Sequence, residues 1–203
     1  MSIPKLQIAC DHSDLAGALA DIKKVGDVVD IIEAGTILRC FRAMYPEKLI
    51  VADTKCADAG GTVAKNCQQA GADYMTVICA ATIPTMKAAA KEIAEIQVEL
   101  YGDWTYQQAQ QWLDAGISQA IYHQSRDALL AGETWGEKDL TKVRKLIDMG
   151  FRVSVTGGLS VETLALFAGI DVYTFITGRG ITAADDPQQA AVDFKQEILR
   201  IWG

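Results

Sequence analysis

Eight short runs rich in valine and isoleucine alternate with amphipathic stretches along the 203 residues of this chain. Such runs are typical of strands that are buried on both faces, and the stretches between them repeat apolar residues with a helical period. Strands that alternate with helices form a parallel sheet joined by crossover helices. The expected strands are KLQIACD (5–11), VVDIIEAGT (28–36), KLIVAD (48–53), YMTVIC (74–79), IQVEL (96–100), QAIYH (119–123), FRVSVTGG (151–158) and VYTFITG (172–178).

This order of elements predicts an α/β fold, with a single (β/α)₈-barrel domain over residues 1–203, because eight β/α units close most simply into a barrel. A doubly wound open sheet is the alternative, but no G-x-G-x-x-G follows the first strand. Two connections are short: ILRCFRAMYPE follows EAGT, and KEIAE runs directly into IQVEL. They indicate either unusually tight connections or segments missing from the chain, and missing segments are the favoured interpretation.

Charge and composition argue against several classes of partner. The net charge of −7 disfavours a nucleic-acid groove or an anionic membrane surface. No apolar run approaches the roughly 18 residues that span a bilayer, and the N-terminus lacks the features of a signal peptide. Five cysteines without C-x-x-C spacing are typical of reduced thiols. We therefore expect a soluble cytoplasmic protein that binds neither nucleic acid nor membrane.

Charged or polar residues recur at the ends of these otherwise apolar strands. Ligands bind at the carboxyl ends of the strands in a (β/α)₈ barrel, so the last residues of each strand are candidates. If these positions belonged to the apolar core, aliphatic residues would be expected there. Any one of these charged or polar residues, taken alone, could still be a solvated strand end. The candidates are Asp11, Glu33, Asp53 with Lys55, Glu99, His123, Thr156 with Gly157 and Gly158, and Gly178 with Arg179.

The segment VADTKCADAG at 51–60 runs a strand into three charged residues with the spacing D-x-K-x-x-D. Asp53 and Lys55 are two residues apart, so their side chains point to one face of the strand. An ammonium held beside a carboxylate stays charged and can stabilise an anion that forms next to it. Asp58 follows where the chain leaves the strand. A salt bridge at the barrel rim is the structural alternative.

Two further groups of strand-end residues point to a metal and a phosphate. Glu33 and Asp53 come from adjacent strands, and two converging carboxylates suit Mg²⁺, whereas two histidines and no thiolate pair disfavour a transition metal. The endings VTGG and ITGRG predict a phosphate site, because backbone N–H groups after strands seven and eight often bind phosphate and Arg179 adds charge. Ordinary tight turns are the alternative for these glycines.

A histidine and an arginine end the sixth strand in the sequence HQSRD. A lone histidine is more often structural than catalytic. At this end of a strand, however, His123 with Arg126 three residues further on predicts a pair that delivers a proton.

Four motifs together resemble the orotidine 5′-phosphate decarboxylase suprafamily: D-x-K-x-x-D after strand three, EAGT after strand two, VTGG and GR. Within it, VDIIEAGT, VADTKCADAG, YHQSRDALLAG with Trp135 close behind, and VTGGL are most similar to the 3-keto-L-gulonate 6-phosphate decarboxylases. The similarity covers nearly the whole chain. The chain departs from the family pattern after EAGT, where the family has a longer loop and helix.

The resemblance implies a Mg²⁺-dependent decarboxylation of a β-keto acid phosphate, as in L-ascorbate catabolism, that passes through a cis-enediolate. Glu33 and Asp53 would ligate Mg²⁺, and Lys55 would stabilise the enediolate together with the metal. Protonation through water held by His123 and Arg126 would give L-xylulose 5-phosphate.

The resemblance also implies a set of substrate contacts and a homodimer. Asp58 would complete the site of the neighbouring subunit, so Lys55 would be flanked by a carboxylate from its own strand and one from its partner. The implied catalytic residues are Asp53, Lys55, Asp58, His123 and Arg126, and the substrate-binding residues are Asp11, Glu99, Thr156, Gly158, Gly178 and Arg179.

Two other functions remain open at this stage. Hexulose 6-phosphate synthase is an aldolase that shares the enediolate and the metal, although the arginine of HQSRD favours the decarboxylase. A sugar-phosphate binding barrel without catalysis is the second, and the intact set of Glu33, Asp53, Lys55 and His123 argues against it. Orotidine phosphate decarboxylation is disfavoured because that metal-free chemistry uses a lysine on strand two, where this chain has Glu33.

Overall fold

The strands form one closed barrel in which neighbouring strands are parallel. The computed structural model describes residues 1–10, 15–34 and 38–203. The barrel closes where the first strand pairs with the last, with Lys5 opposite Thr174. The expected (β/α)₈ barrel is confirmed, and the open sheet is wrong. The strands are β1 (Lys5–Cys10), β2 (Ile31–Ala34), β3 (Leu49–Cys56), β4 (Tyr74–Ile78), β5 (Glu95–Leu100), β6 (Gln119–His123), β7 (Arg152–Thr156) and β8 (Thr174–Thr177).

Helices follow the strands, and local sequence explains where several of them begin. Thr105 and Gln108 form a reciprocal capping box, and Asp186 caps the last helix immediately before Pro187. Among the described residues, no helix is long and apolar enough to cross a membrane. The helices are α1 (Leu15–Val25), α2 (Leu38–Met44), α3 (Gly60–Gln69), α4 (Ile83–Ala89), α5 (Tyr106–Asp114), α6 (Arg126–Leu130), α7 (Glu137–Asp148), a 3₁₀ helix (Glu162–Phe167), α8 (Arg179–Thr182) and α9 (Pro187–Trp202).

The two short connections are closed by short helices. Helix α4 ends at Ala89, and residues 90–94 turn directly into β5. Here the segment KEIAE forms the turn and the start of the strand, so the connection is tight, and the expectation of missing residues stays a prediction. In the other connection, residues 35–37 lie outside the described residues and α2 occupies seven of the others. The expectation of a missing segment after Thr36 therefore stays a prediction.

The apolar core lies between the barrel and its helices, where Phe41, Trp112 and Phe194 are buried. Inside the barrel, the buried side chains differ from those of this apolar core. A small apolar cluster of Ile31, Val51 and Tyr74 is separate from the main core. The other buried interior side chains include several polar ones, namely Gln7, Thr76, Gln97, Gln119, Ser154 and Thr174.

An ionic and aromatic cluster lies at the amino-terminal end of the barrel. Arg152 forms a salt bridge with Glu95, and its guanidinium lies 5.1 Å from the centre of the Tyr173 ring. The ammonium of Lys5 lies 5.2 Å from the centre of the same ring. Because these side chains fill that end, the carboxyl ends of the strands are left as the place for a ligand.

Candidate active site

A cleft of about 880 Å³ opens at the carboxyl ends of the strands. It is lined largely by residues at or just after the ends of β3, β5, β6, β7 and β8, as ligand sites in this fold generally are. The structure therefore brings together residues that are far apart in the sequence. The predicted site residues that line the cleft are Lys55, His123, Arg126, Thr156, Gly157, Gly158, Gly178 and Arg179.

The end of β3 departs from regular strand geometry at Lys55. Its φ of 43° lies in the left-handed region, and the pairing of β3 with β4 shifts register between Ala52 and Cys56. The hydroxyl of Thr76 holds this irregularity in place. It accepts hydrogen bonds from the amides of Thr54 (3.0 Å) and Lys55 (2.9 Å), so both N–H groups are satisfied although they leave the ladder.

The same hydroxyl orients Asp53. Thr76 Oγ1 donates to Asp53 Oδ1 over 2.8 Å, and Asp53 Oδ2 accepts from the ammonium of Lys55. The two-residue spacing predicted that Asp53 and Lys55 share one face, and the ion pair between them bears this out. Thr76 itself was missed by the sequence analysis. A buried polar residue in the middle of the apolar run YMTVIC is the signal that could have revealed it.

Glu99 at the end of β5 is buried and contacts two predicted catalytic residues. Its Oε2 lies 3.5 Å from Lys55 Nζ, and its Oε1 lies 2.9 Å from His123 Nδ1. Oε2 has no hydrogen-bond partner, although it is buried. The structure thus places Glu99 between Lys55 and His123, and not against the open part of the cleft.

Lys55 is surrounded by negative charge. Partial burial lowers its pKa, but the hydrogen bond to Asp53 and the charges of Glu99, Asp53 and Glu33 outweigh that effect and raise the pKa above its ordinary value. The ammonium form is therefore favoured. A fixed positive charge at the cleft surface is what an anionic intermediate requires for stabilisation.

Tyr101 completes the surroundings of His123 and was not predicted. Its hydroxyl donates to Glu99 Oε1 over 3.0 Å and lies 2.7 Å from His123 Nδ1. The two ring centres are 4.6 Å apart with a tilt of 38°. Burial and the Glu99 charge raise the pKa of Tyr101 far above its ordinary value, so the phenol stays protonated. Its position two residues after Glu99 is the signal that the sequence offered.

Glu33 on β2 is held by a buried glutamine. Gln7 Nε2 donates to Glu33 Oε2 over 2.6 Å, and Gln7 is fully buried. The charge of Glu33 also contributes to the raised pKa values of Lys55 and Tyr101. Gln7 was missed as well, although a glutamine within the apolar strand KLQIAC is itself unusual for a buried parallel strand.

The predicted magnesium site can be tested against the charges around Lys55. Among the residues that the structure describes, no three or more His, Cys, Asp or Glu side chains form a metal-binding group. Mg²⁺, however, usually takes only one or two protein carboxylates and keeps several waters. Glu33, Asp53 and Glu99 all act on the pKa of Lys55, so three carboxylates lie in the region of this ammonium. The charge and the oxygen donors fit a divalent cation such as Mg²⁺.

Glycines after β7 form one wall of the cleft at a position where a side chain has no room. Gly157 has a φ of +101°, and a Cβ there would lie 2.1 Å from the carbonyl oxygen of Gln124. The indole of Trp135 donates to the Gly157 carbonyl over 2.7 Å, and Trp135 is itself buried. The neighbouring Thr156 hydroxyl donates to the Ile176 carbonyl over 3.1 Å. These contacts fix the backbone of the loop.

The start of α8 forms the adjacent wall. Gly178 precedes the helix, and Arg179 is exposed at its first position. A Cβ at Gly180 would lie 2.9 Å from the carbonyl oxygen of Leu159, so the two glycine-containing loops pack closely against each other. The structure thus brings the VTGG and ITGRG segments together at one end of the cleft, with an arginine beside them.

Among the predicted site residues, Glu33, Asp53 and Glu99 act on Lys55 without lining the cleft, whereas Asp58 belongs to neither group. Asp58 is exposed and does not line the cleft, and its Oδ1 accepts from the amide of Ala59 over 2.7 Å. Asp11 lies outside the described residues. Within its own chain, then, Asp58 lies apart from the groups around Lys55 that it was predicted to join in a partner.

Comparison with known proteins gives full-length matches. The model of the orotidine 5′-phosphate decarboxylase / HUMPS family matches residues 4–194. The 3-keto-L-gulonate-6-phosphate decarboxylase UlaD from Escherichia fergusonii is 49% identical over 216 residues, with all of both chains covered. That alignment is longer than this chain, so the relative has positions to which no residue here corresponds.

Solved structures agree with the sequence relatives. The crystal structure of KGPDC from Streptococcus mutans in complex with a sugar phosphate has a TM-score of 0.98 and 67% identity, and each chain is covered completely. The 3-hexulose-6-phosphate synthase from Salmonella typhimurium has a TM-score of 0.89 at 29% identity, covering 97% of this chain and 99% of that one. The chain therefore belongs to the orotidine 5′-phosphate decarboxylase / HUMPS family, as the resemblance in its motifs predicted.

Proposed function

We propose that this protein decarboxylates 3-keto-L-gulonate 6-phosphate to L-xylulose 5-phosphate and CO₂. The relatives that match it along its full length at 49% and 67% identity carry the name of this decarboxylase, which confirms the function predicted from the motifs. The structural observation that carries the proposal is the position of Lys55. Its ammonium lies at the cleft surface between Asp53 and Glu99, where it can face an anion that forms in the cleft.

The bond-breaking step requires a place for an electron pair. When the carboxylate of the β-keto acid leaves as CO₂, the electrons of the broken C–C bond move toward the neighbouring keto group and give an enediolate. Lys55 is positioned to stabilise this negative charge, because its raised pKa keeps it protonated and Asp53 holds it in place. Electrostatic stabilisation of this kind is commonly worth several kcal/mol.

The second step adds one proton to the enediolate carbon. His123 and Arg126 both line the cleft next to Lys55, one at the end of β6 and the other at the start of α6. The ring of His123 is anchored at Nδ1 by Glu99, so its other nitrogen is free to act on the substrate or on a water molecule. Arg126 is exposed and can hold that water or the substrate oxygens.

Glu33 and Asp53 are the residues that would hold Mg²⁺. When bound, the ion would act as a Lewis acid toward the substrate oxygens that gain negative charge. The carboxylates around Lys55 offer the oxygen donors that Mg²⁺ prefers, which supports this assignment. Gln7 fixes the orientation of Glu33, and Thr76 fixes that of Asp53.

The glycine loops would hold the substrate phosphate at the other end of the cleft. Backbone N–H groups near Gly158 and Gly178, together with the Arg179 guanidinium, offer donors to a dianion. The S. mutans relative was crystallised with a sugar phosphate, which supports a small sugar phosphate as the ligand of this cleft. Asp11 and Thr156 are the remaining proposed substrate contacts.

A homodimer would explain the position of Asp58. This carboxylate is exposed outside the cleft of its own chain, so it is available to a second subunit. We propose that it completes the site of the partner, next to the partner's lysine at the same position. The cytoplasmic location expected from the sequence stays a prediction.

A direct assay tests this function. The purified protein is incubated with 3-keto-L-gulonate 6-phosphate labelled with ¹³C in its carboxylate, in the presence of Mg²⁺, and labelled CO₂ and L-xylulose 5-phosphate are measured. We expect equal amounts of both products, and none with Lys55→Ala. As a comparison, a pentulose 5-phosphate with formaldehyde tests the aldolase reaction of the more distant relative. Turnover of the aldol pair without release of labelled CO₂ would contradict the proposal.

A further inference from the structure

Three groups meet at Nδ1 of His123. The Glu99 carboxylate oxygen Oε1 lies 2.9 Å away, the Tyr101 hydroxyl oxygen lies 2.7 Å away, and that hydroxyl lies 3.0 Å from the same Oε1. All three distances are within hydrogen-bonding range, so the three atoms form a closed triangle.

The chemistry of the three groups allows one arrangement of protons. A carboxylate oxygen can only accept, and the tyrosine hydroxyl donates its proton to it. If Nδ1 carried no proton, its lone pair would face the Glu99 oxygen at 2.9 Å, which is repulsive. Nδ1 must therefore carry the proton and donate it into the triangle, to the phenol oxygen and to Oε1.

From this geometry we infer that Tyr101 is a positioning residue, which acts with Glu99 to fix His123 as its Nδ1–H tautomer and to leave Nε2 free for the reaction. Glu99 alone could accept the proton, but it also lies 3.5 Å from the Lys55 ammonium and is therefore shared between that ammonium and the imidazole. The Tyr101 hydroxyl supplies the second acceptor, at the shorter distance. The tilted contact of the two rings restricts rotation of the imidazole.

Two further observations support a role beyond packing. Tyr101 lines the cleft and is only half-buried, so its ring is not a core side chain. Its pKa is raised by burial and by Glu99, so the phenol keeps the proton that it donates within the triangle. The consequence for catalysis rests on the proposed function, whereas the tautomer of His123 does not.

The tautomer can be measured without substrate. The chain has two histidines, so ¹⁵N–¹H correlation spectra of the imidazole rings contain two sets of signals, and His123→Asn assigns one set by its loss. We expect the His123 signals of the wild-type protein at alkaline pH to show protonated Nδ1 and bare Nε2. Tyr101→Phe, which retains the ring and removes the hydroxyl, should give a mixture of tautomers or exchange-broadened signals.

Tyr106→Phe is the matched control, because Tyr106 is exposed on α5 and does not line the cleft. Its spectra should equal those of the wild-type protein. A wild-type protein in which Nε2 of His123 carries the proton would overturn the inference. So would a folded Tyr101→Phe protein with the same tautomer as wild type.

A double-mutant cycle tests the consequence for turnover. Loss of one hydrogen bond predicts that Tyr101→Phe lowers kcat about three- to tenfold with KM changed less than about twofold. In a His123→Asn background, the same substitution should cost nothing further, because its effect passes through the imidazole. Equal losses in both backgrounds would mean that Tyr101 has a separate role and would overturn the inference. If no variant releases CO₂, the proposed function fails and the spectra still decide the tautomer.

Discussion

Glu99 touches Lys55 with one carboxylate oxygen, at 3.5 Å, and reaches His123 with the other, at 2.9 Å. One buried carboxylate thus connects the group proposed to stabilise the enediolate with the group proposed to protonate it. Because one oxygen faces the lysine and the other faces the histidine, the position of Glu99 fixes how far apart these two groups lie.

Replacing Glu99 by glutamine should impair both steps while retaining the shape of the side chain. The glutamine amide is neutral, so the charge that favours the Lys55 ammonium is lost. In addition, the amide NH₂ group must face either that ammonium or Nδ1 of His123, where the carboxylate had an oxygen. Hydrogen bonds to charged groups are worth about 1.5–3 kcal/mol, which predicts a loss of roughly 10- to 100-fold in kcat. The measurement is CO₂ release at saturating substrate. Glu92→Gln, at an exposed turn, is the control and should retain wild-type kcat; a Glu99→Gln enzyme with wild-type turnover would contradict this role.

Thr76→Val should remove the hydrogen bonds that fix the end of β3 around Lys55. Valine has nearly the same shape, but it removes the acceptor of the Thr54 and Lys55 amides and the donor to Asp53. Leaving these partly buried N–H groups unpaired costs up to about 1–3 kcal/mol of folding stability, so the urea unfolding midpoint should shift to lower concentration. Activity should fall as well, because Lys55 loses its fixed position.

Thr141→Val is the matched control for that substitution, since Thr141 is exposed on α7 and bonds only weakly to Glu137 at 3.4 Å. It should change neither stability nor turnover measurably. Equal behaviour of the two valine variants would show that the Thr76 hydroxyl does not hold the end of β3.

The proposed magnesium dependence has two readouts. Excess chelator should abolish turnover and added Mg²⁺ should restore it, because Glu33 and Asp53 are the proposed ligands. Gln7→Met should raise the Mg²⁺ concentration needed for half-maximal activity by about 10- to 100-fold, the usual cost of removing an outer partner of a ligand. Calorimetric titration of the protein with Mg²⁺ should show the same weakening without substrate. Full activity in excess chelator would exclude the metal role.

Gly157→Ala and Gly150→Ala form a matched pair for the glycine wall. Both positions have a φ near +100°, so both alanines carry similar backbone strain. Only Gly157 faces an obstacle, the Gln124 carbonyl, whereas a Cβ at Gly150 meets nothing within 4 Å. We expect Gly150→Ala to lose about 1 kcal/mol of stability with its KM unchanged. Gly157→Ala should lose more stability, measured by urea unfolding, and should raise KM, measured from initial rates. If the two alanine variants behaved alike, the close contact with Gln124 would be unimportant.

The fold was predictable because its pattern is repeated eight times. The ends of the strands were therefore predictable too. The two-residue spacing of Asp53 and Lys55 predicted that their side chains lie on the same face of the strand. Contacts between different strands were not predictable in this way, because spacing along one strand carries no information about the side chain opposite. Thr76 on β4 and Gln7 on β1 each lie on the strand next to the carboxylate that they hold. The sequence marks both only as polar residues in apolar runs.

The trans role of Asp58 gives the last prediction, and it depends on the proposed homodimer. Lys55→Ala and Asp58→Ala should each be inactive alone. In a mixed dimer, the site on the Asp58→Ala chain keeps its own lysine and receives an intact Asp58 from the partner, whereas the other site lacks both groups. Random pairing makes about half of the dimers mixed, with one complete site each, so roughly a quarter of wild-type activity should return after subunit exchange. Each variant taken through the same exchange procedure alone is the control and should stay inactive. If mass spectrometry proves exchange and no activity returns, Asp58 acts within its own chain or not at all.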